Sequence, residues 1–153
     1  TRGKAAVMAE ERFIDDEPTG EFRAITPARC QELLQSQSVG RIAWQAADGP
    51  QILPVTYAWH EGTIIFRTSP YGVLSSLERH TRVAFEIDNI DEKQQSGWSV
   101  LVLGSAERVT QQYTLSTLWK EGPVPWASGT RNLFIAITPD SITGRAVRAP
   151  FAD

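Results

Sequence analysis

The sequence predicts a mainly β domain: an antiparallel sheet of six to seven short strands closed into a small barrel, with short helices in the gaps. Three observations carry that expectation. Seven stretches have strand character, most of them alternating apolar and polar residues at the two-residue period of a half-buried strand. Most joints between them are too short for a parallel crossover, which needs about a dozen residues or more. Helical spacing is confined to three brief stretches, and seven strands with so few helices favour closure.

In chain order, Thr26-Pro27 is an N-cap followed by a first-turn proline. Cys30, Leu33 and Leu34 then form an apolar stripe, so a helix is expected over 27–36, lying across one mouth of the sheet. Val39–Gln45 sets Ile42 and Trp44 against Arg41 and Ala43, and Ala47-Asp48-Gly49 is a turn. Two strands, Gln51–Trp59 and Thr63–Thr68, flank the short loop His60-Glu61-Gly62. Pro54 cannot donate to a ladder, so it marks an edge, a bulge or a place where something approaches the backbone. Ser69-Pro70 repeats the cap-and-proline signal, with Val73, Leu74 and Leu77 as the stripe of a second helix. Arg82–Asp88 is the next strand, Asn89–Gly97 an irregular connection, and Trp98–Val109 a long strand with Gly104 midway. Thr110 is placed to cap a third helix, ended by Gly122-Pro123. Strands over Asn132–Thr138 and Ile142–Arg148 close the chain, separated by Pro139-Asp140.

At 153 residues and 41% hydrophobic, the chain suits one domain with its own core. The acidic and irregular segment 1–21 is expected to be a disordered tail ahead of a barrel over 22–153. It holds six of the 18 acids and three of the 15 bases, which leaves twelve of each elsewhere. A neutral folded part argues against nucleic acid or a membrane surface as partner. No run is long and apolar enough to cross a bilayer and no signal-peptide core is visible, so a cytoplasmic location is expected. Met8 is the single methionine, which leaves the origin of Thr1–Val7 open. The lone cysteine, Cys30, reads as a small buried hydrophobe or a reactive thiol.

Few residues offer acid–base or metal chemistry. His60 sits at a hairpin tip and His80 near a helix end, neither in a Ser/His/Asp pattern. One cysteine and two distant histidines make no metal site. Glu86 and Asp88 share a strand face and read as solvated, and no phosphate-cradling glycine loop is present. The feature that stands out is a corner where a strand delivers Arg67, Thr68 and Ser69 to an expected helix start, a combination suited to an anion. Five tryptophans accompany it: Trp44 and Trp119 read as core, Trp98 and Trp126 as core, interface or stacking surfaces for a planar ring. An anion clamp beside flat apolar surfaces suits a phosphorylated aromatic cofactor, which carries its own reactivity.

The order of these segments resembles the flavin-binding split barrels of the pyridoxamine 5′-phosphate oxidase-like family. The likeness runs through Ile25-Thr26-Pro27, Val39-Gly40-Arg41-Ile42-Ala43, Pro54-Val55-x-Tyr57, Ile65-Phe66-Arg67-Thr68 and Val83-Ala84-Phe85-Glu86-Ile87-Asp88. It continues in Gly97-Trp98-Ser99-Val100-Leu101-Val102-x-Gly104-x-Ala106, Pro125-Trp126 and Thr143-Gly144-Arg145. The resemblance implies a six-stranded split barrel, a homodimer, and FMN or the deazaflavin F420 in grooves between subunits. Carried over by position, the ring would lie along Pro54, Val55, Thr56 and Tyr57, and the phosphate at Arg67, Thr68 and Ser69. The partner subunit would close the groove with Trp98, Ser99 or Trp126. Members commonly carry lysine where this chain has Val73, so one phosphate contact is absent and a cofactor-free barrel becomes an alternative. The expected function is a flavin-dependent oxidoreductase passing hydride through the flavin N5 to a small acceptor. A flavin-binding module without turnover and a degenerate dimeric scaffold are the alternatives, and no catalytic side chain is assigned.

Overall fold

The computed structural model describes residues 20–148; most of the expected tail, 1–19, lies outside the described residues, as do 149–153. Eight strands form one antiparallel sheet: β1 (Glu21–Ile25), β2 (Val39–Ala46), β3 (Gly49–Thr56), β4 (Ala58–His60), β5 (Thr63–Thr68), β6 (Thr81–Asp91), β7 (Ser96–Arg108) and β8 (Leu133–Arg148). Seven follow the order β3-β2-β6-β7-β8-β5-β4, and β1 pairs with β8 off this path. The two ends of the path, β3 and β4, are neighbours in sequence, joined at Tyr57. The sheet therefore curls until its two end strands, joined at Tyr57 but not paired with each other, come round to the same side, giving a split antiparallel barrel.

The alternation read from the sequence decides what fills it. Ile42 and Trp44 of β2, Val83, Phe85 and Ile87 of β6, and Val100, Val102 and Ala106 of β7 all point inward and are buried. Ile64 and Phe66 of β5 and Ile135 and Ile137 of β8 complete the interior. Helix α1 (Pro27–Ser36) closes one mouth with Cys30, Leu33 and Leu34. It starts as expected, the Thr26 hydroxyl accepting from Arg29 N–H at 3.3 Å. Cys30 is fully buried and burial pushes its thiol up, so it is a packing residue. Its Sγ lies 2.6 Å from where a Cβ on Gly144 would stand, so α1 rests on β8 only because residue 144 has no side chain. A smaller cluster, Ile65, Leu118 and Phe134, forms outside the barrel, where α2 (Gln112–Glu121) covers β5 and β8.

Several expectations are corrected. The strand expected over Gln51–Trp59 is two, broken at Tyr57. There the backbone N–H donates to Ser38 C=O at 2.9 Å and the phenol donates to Leu34 C=O at 2.7 Å, so the chain turns from one sheet edge to the other. The two last strands are one, β8, which keeps its pairing past Pro139 through a bulge of its own: Gly104 pairs with Pro139 and Leu103 with Ser141, leaving Asp140 as the extra residue. A Cβ on Gly104 would lie 2.3 Å from Thr138 O, so glycine admits the close approach and the strand bends without ending. The connection expected over Asn89–Gly97 is mostly strand, with a turn only at 92–95. Residues from Glu21 were not expected as strand, yet β1 pairs with β8 from Glu21↔Arg148 to Ile25↔Gly144.

The helix expected from Ser69-Pro70 is a 3-10 helix, Val73–Glu78, with no side-chain cap. Ser69 instead closes a turn, its hydroxyl accepting from Tyr71 N–H and its carbonyl from Gly72 N–H, both at 3.2 Å. The third helix starts one residue late, with Gln111 rather than Thr110 at the N-cap position and no side-chain cap. Glu86 and Asp88 are not simply solvated: both pair with Arg41, Glu86 at 2.8 Å. Burial and the neighbouring Asp88 still hold the Glu86 carboxyl above its usual range, because one guanidinium serves two acids. Trp44 is core as expected, but Trp119 is 54% exposed.

Candidate functional site

Strand β3 pairs only with β2, so its other edge is unpaired, and Pro54 stands on that edge opposite Arg41. Beside it lies a groove of about 310 Å³. Val39, Pro54, Val55 and Thr56 form its backbone wall, Leu74 and Pro125 its apolar flank. Arg67, Arg131 and Trp126 complete it. The loop after α2 thus meets the end of β5 and the edge of β3 around one space, although these segments are far apart in sequence. Trp126 is 79% exposed and offers an open indole face.

Arg67 is tightly held. Its Nε donates to Arg131 C=O at 3.0 Å, and its guanidinium lies 4.5 Å from the Trp119 ring centroid and 5.2 Å from that of Phe134. Trp119 in turn meets Phe134 edge-on at 5.2 Å. Burial lowers the guanidinium pKa from its usual value, but an arginine keeps its charge. Among the described residues, neither Arg67 nor Arg131 has a carboxylate within ion-pair distance. Among the described residues no acid lines the groove. It is a positive, acid-free pocket beside flat apolar surfaces.

The groove gathers Pro54, Val55, Thr56, Arg67 and Trp126 from the expected set. The other five do not line it. Tyr57 is 3% exposed with its hydroxyl committed to α1, and Thr68 is 2% exposed. Arg67 and Thr68 point to opposite faces of β5, as the two-residue period requires. Trp98 and Ser99 line a different cavity of about 510 Å³, walled also by Phe22, Ile90, Arg145 and Val147. Ser69, which is half-buried, also does not line the groove, its hydroxyl being engaged in the turn. Arg131 is the residue that sequence reading missed. It belongs to no motif, and its link to Arg67 spans 64 positions. Among the described residues no group of three or more His, Cys, Asp or Glu is placed to hold a metal, and no helix is long and apolar enough to cross a membrane.

Fold and groove together define a split-barrel protein with an arginine-lined cleft on its edge strand. A family model described as pyridoxamine 5′-phosphate oxidase matches residues 26–146, and the chain belongs to that family. It is 32% identical over 117 residues to the uncharacterized protein Rv0080 of Mycobacterium tuberculosis, covering 73% of this chain and 76% of that one. Among solved structures, a putative pyridoxamine 5′-phosphate oxidase from Corynebacterium glutamicum superposes with a TM-score of 0.72 at 27% identity, over 86% of this chain and 96% of the other. The FAD binding protein from Mycobacterium smegmatis gives a TM-score of 0.69 at 28% identity, over 82% and 98% of the two chains.

Proposed function

We propose that the chain binds a flavin in the β3 groove and acts as a flavin-dependent oxidoreductase. One observation carries the reading: an unpaired backbone edge, an exposed indole and two guanidiniums without acid partners among the described residues surround a single cavity. That set fits a flat apolar ring ending in a phosphate, since Arg67 and Arg131 would meet the charge and Pro54–Thr56 with Trp126 would wall the ring. The likeness to a protein described as FAD binding supports a flavin, with FMN, FAD or the deazaflavin F420 as the candidates.

When bound, the flavin supplies hydride acceptance and donation at its N5, here toward a small acceptor. The chain's own residues bind and orient: Arg67 is preset by its stack on Trp119, Pro54 presents no N–H, and Leu74 and Pro125 keep water from the cleft. Thr68 and Ser69 enter through their place at the end of β5 rather than through free hydroxyls. A volume of about 310 Å³ is at the low end for a ligand site, about 300–1,000 Å³, which supports a groove finished by a second copy. In that homodimer Trp98 and Ser99 of the second copy would close the cleft. A cytoplasmic location belongs to the same reading.

The protein purified without added flavin is expected to be yellow, or to turn yellow on adding FMN, FAD or F420, and the colour is expected to bleach anaerobically with NADPH. A colourless protein indifferent to all three would overturn the proposal. Among the described residues the groove wall has no Asp, Glu, His or Cys. That favours, as second reading, a module that holds flavin without turnover; saturable binding with no bleaching would mark it.

A further inference from the structure

We infer that the chain carries its own competitor for the β3 groove: the acidic segment 10–17 seats there when no ligand is bound and must leave before one enters. The inference shares the groove with the proposed function but does not depend on the ligand being a flavin. It stands on the chemistry of the segment and on the place from which the segment starts.

Residues 10–17 read Glu-Glu-Arg-Phe-Ile-Asp-Asp-Glu, five acids and one base around the apolar pair Phe13-Ile14. They lie outside the described residues. The groove is their chemical complement. Arg67 and Arg131 line it, and among the described residues neither has a carboxylate within ion-pair distance. Leu74, Pro125 and the open indole of Trp126 supply an apolar side for Phe13. Arginine groups recognise acidic motifs, and an aromatic side chain packs well on indole. The larger cavity at Phe22 and Trp98 is a poorer seat, because Asp91 and Glu92 stand in its wall and repel an acidic occupant.

The segment also starts close enough. It enters the fold at Glu21, which pairs with Arg148. Arg148 shares a cleft with Arg29 and Leu33 of α1. Leu34 of the same helix takes the phenol of Tyr57, the residue after Thr56 on the groove wall. Helix α1 therefore bridges the root of the segment and the groove. Its ten residues are about 15 Å long. The eight steps from Phe13 to Glu21 reach up to ~28 Å when extended. A short tether holds its segment at an effective concentration of about 1 mM. A segment whose own dissociation constant is ~0.1–1 mM then weakens every ligand of the groove about 2- to 10-fold.

The test uses the full chain and a full-chain variant with Glu10→Gln, Glu11→Gln, Asp15→Asn, Asp16→Asn and Glu17→Gln. A nitroxide is attached through Ala9→Cys in each, Cys30 being fully buried. In the ligand-free protein at low salt, the amide signals of Val55, Thr56, Arg67, Trp126 and Arg131 are expected to broaden. The five substitutions, or salt raised to about 0.5 M, are each expected to restore them. The five-fold variant without the label is expected to bind FMN about 2- to 10-fold more tightly than wild type at low salt, with the difference gone at high salt. Broadening confined to β1 and the cavity at Trp98, or a variant that binds FMN no more tightly, would overturn the inference and leave the flavin reading standing. Groove broadening relieved by the substitutions, in a protein that binds no flavin, would support the inference and end the flavin reading. With neither groove broadening nor flavin binding, both fall.

Discussion

Replacing Tyr57 by Phe separates a structural from a ligand-binding role at the point where the barrel closes. The phenol donates to Leu34 C=O at 2.7 Å. Leu34 lies in the last four residues of α1, whose carbonyls have no partner inside the helix. One of its neighbours is already served, Leu33 C=O by the Ser36 hydroxyl at 2.8 Å. Tyr57→Phe keeps the edge-on contact with Phe85, with ring centroids 4.9 Å apart, and removes only the hydroxyl. A buried acceptor left unmet costs about 1–3 kcal/mol. For a domain of this size that lowers Tm by roughly 3–10 °C. Flavin affinity should change less than about twofold, because the phenol is committed to α1 and faces away from the groove. Urea and thermal unfolding measure the first quantity and flavin titration the second. Unchanged stability with a tenfold loss of flavin would refute the reasoning and return Tyr57 to the site. Burial also holds the phenol well above its usual value near 10, so the unfolded chain gives up its proton first as pH climbs. That contribution is fully present below about pH 10 and is lost above it, and Tyr57→Phe should flatten the alkaline limb of the stability curve.

Other outcomes follow from single contacts. Gly144→Ala drives a Cβ to 2.6 Å from Cys30 Sγ and 3.1 Å from Ile25 Cβ and should destabilise by about 1–3 kcal/mol; adding Cys30→Ala should recover part of that in a urea-melt double-mutant cycle, and strict additivity would deny the packing of α1 on β8. Arg41→Met leaves Glu86 and Asp88 facing each other unpaired. The Glu86 carboxyl, already held above its usual range, loses the guanidinium that pulls it down, so the stability loss should be larger at pH 7 than at pH 4, and an equal loss at both would show that the ion pair contributes little. Trp126→Ala, at a side chain 79% exposed, should leave Tm within about 2 °C while weakening flavin several-fold by titration.

The local signals in the chain were read well and the long-range ones poorly. Helix α1 has the limits its cap, proline and stripe imply, since all three act within ten residues. Pro54 does mark an edge strand. By contrast β8 runs through Pro139-Asp140 as a bulge, with Asp140 the extra residue, because Gly104 on the partner strand admits the close approach of Thr138, and no pattern around residue 139 reveals that partner. Strand β1 has no buried face, four of its five residues being exposed, so it leaves no alternation to find. The corner imagined at Arg67, Thr68 and Ser69 counted neighbours in sequence as neighbours in space. The strand period that predicted β5 also turns Thr68 into the core, and the charge beside Arg67 comes from Arg131 instead. Trp119 read as core because its helical spacing shows that a face is covered, but not that the cover is the Arg67 guanidinium and the edge-on ring of Phe134.

Amide hydrogen exchange with and without saturating FMN tests the central claim most directly. Slower exchange is expected in the peptides spanning 51–57, 64–68 and 126–132, the three segments that meet at the groove, with a second zone at 96–99 if another copy closes it. Flavin that binds while those three segments exchange as fast as before would place the ligand elsewhere and contradict the account.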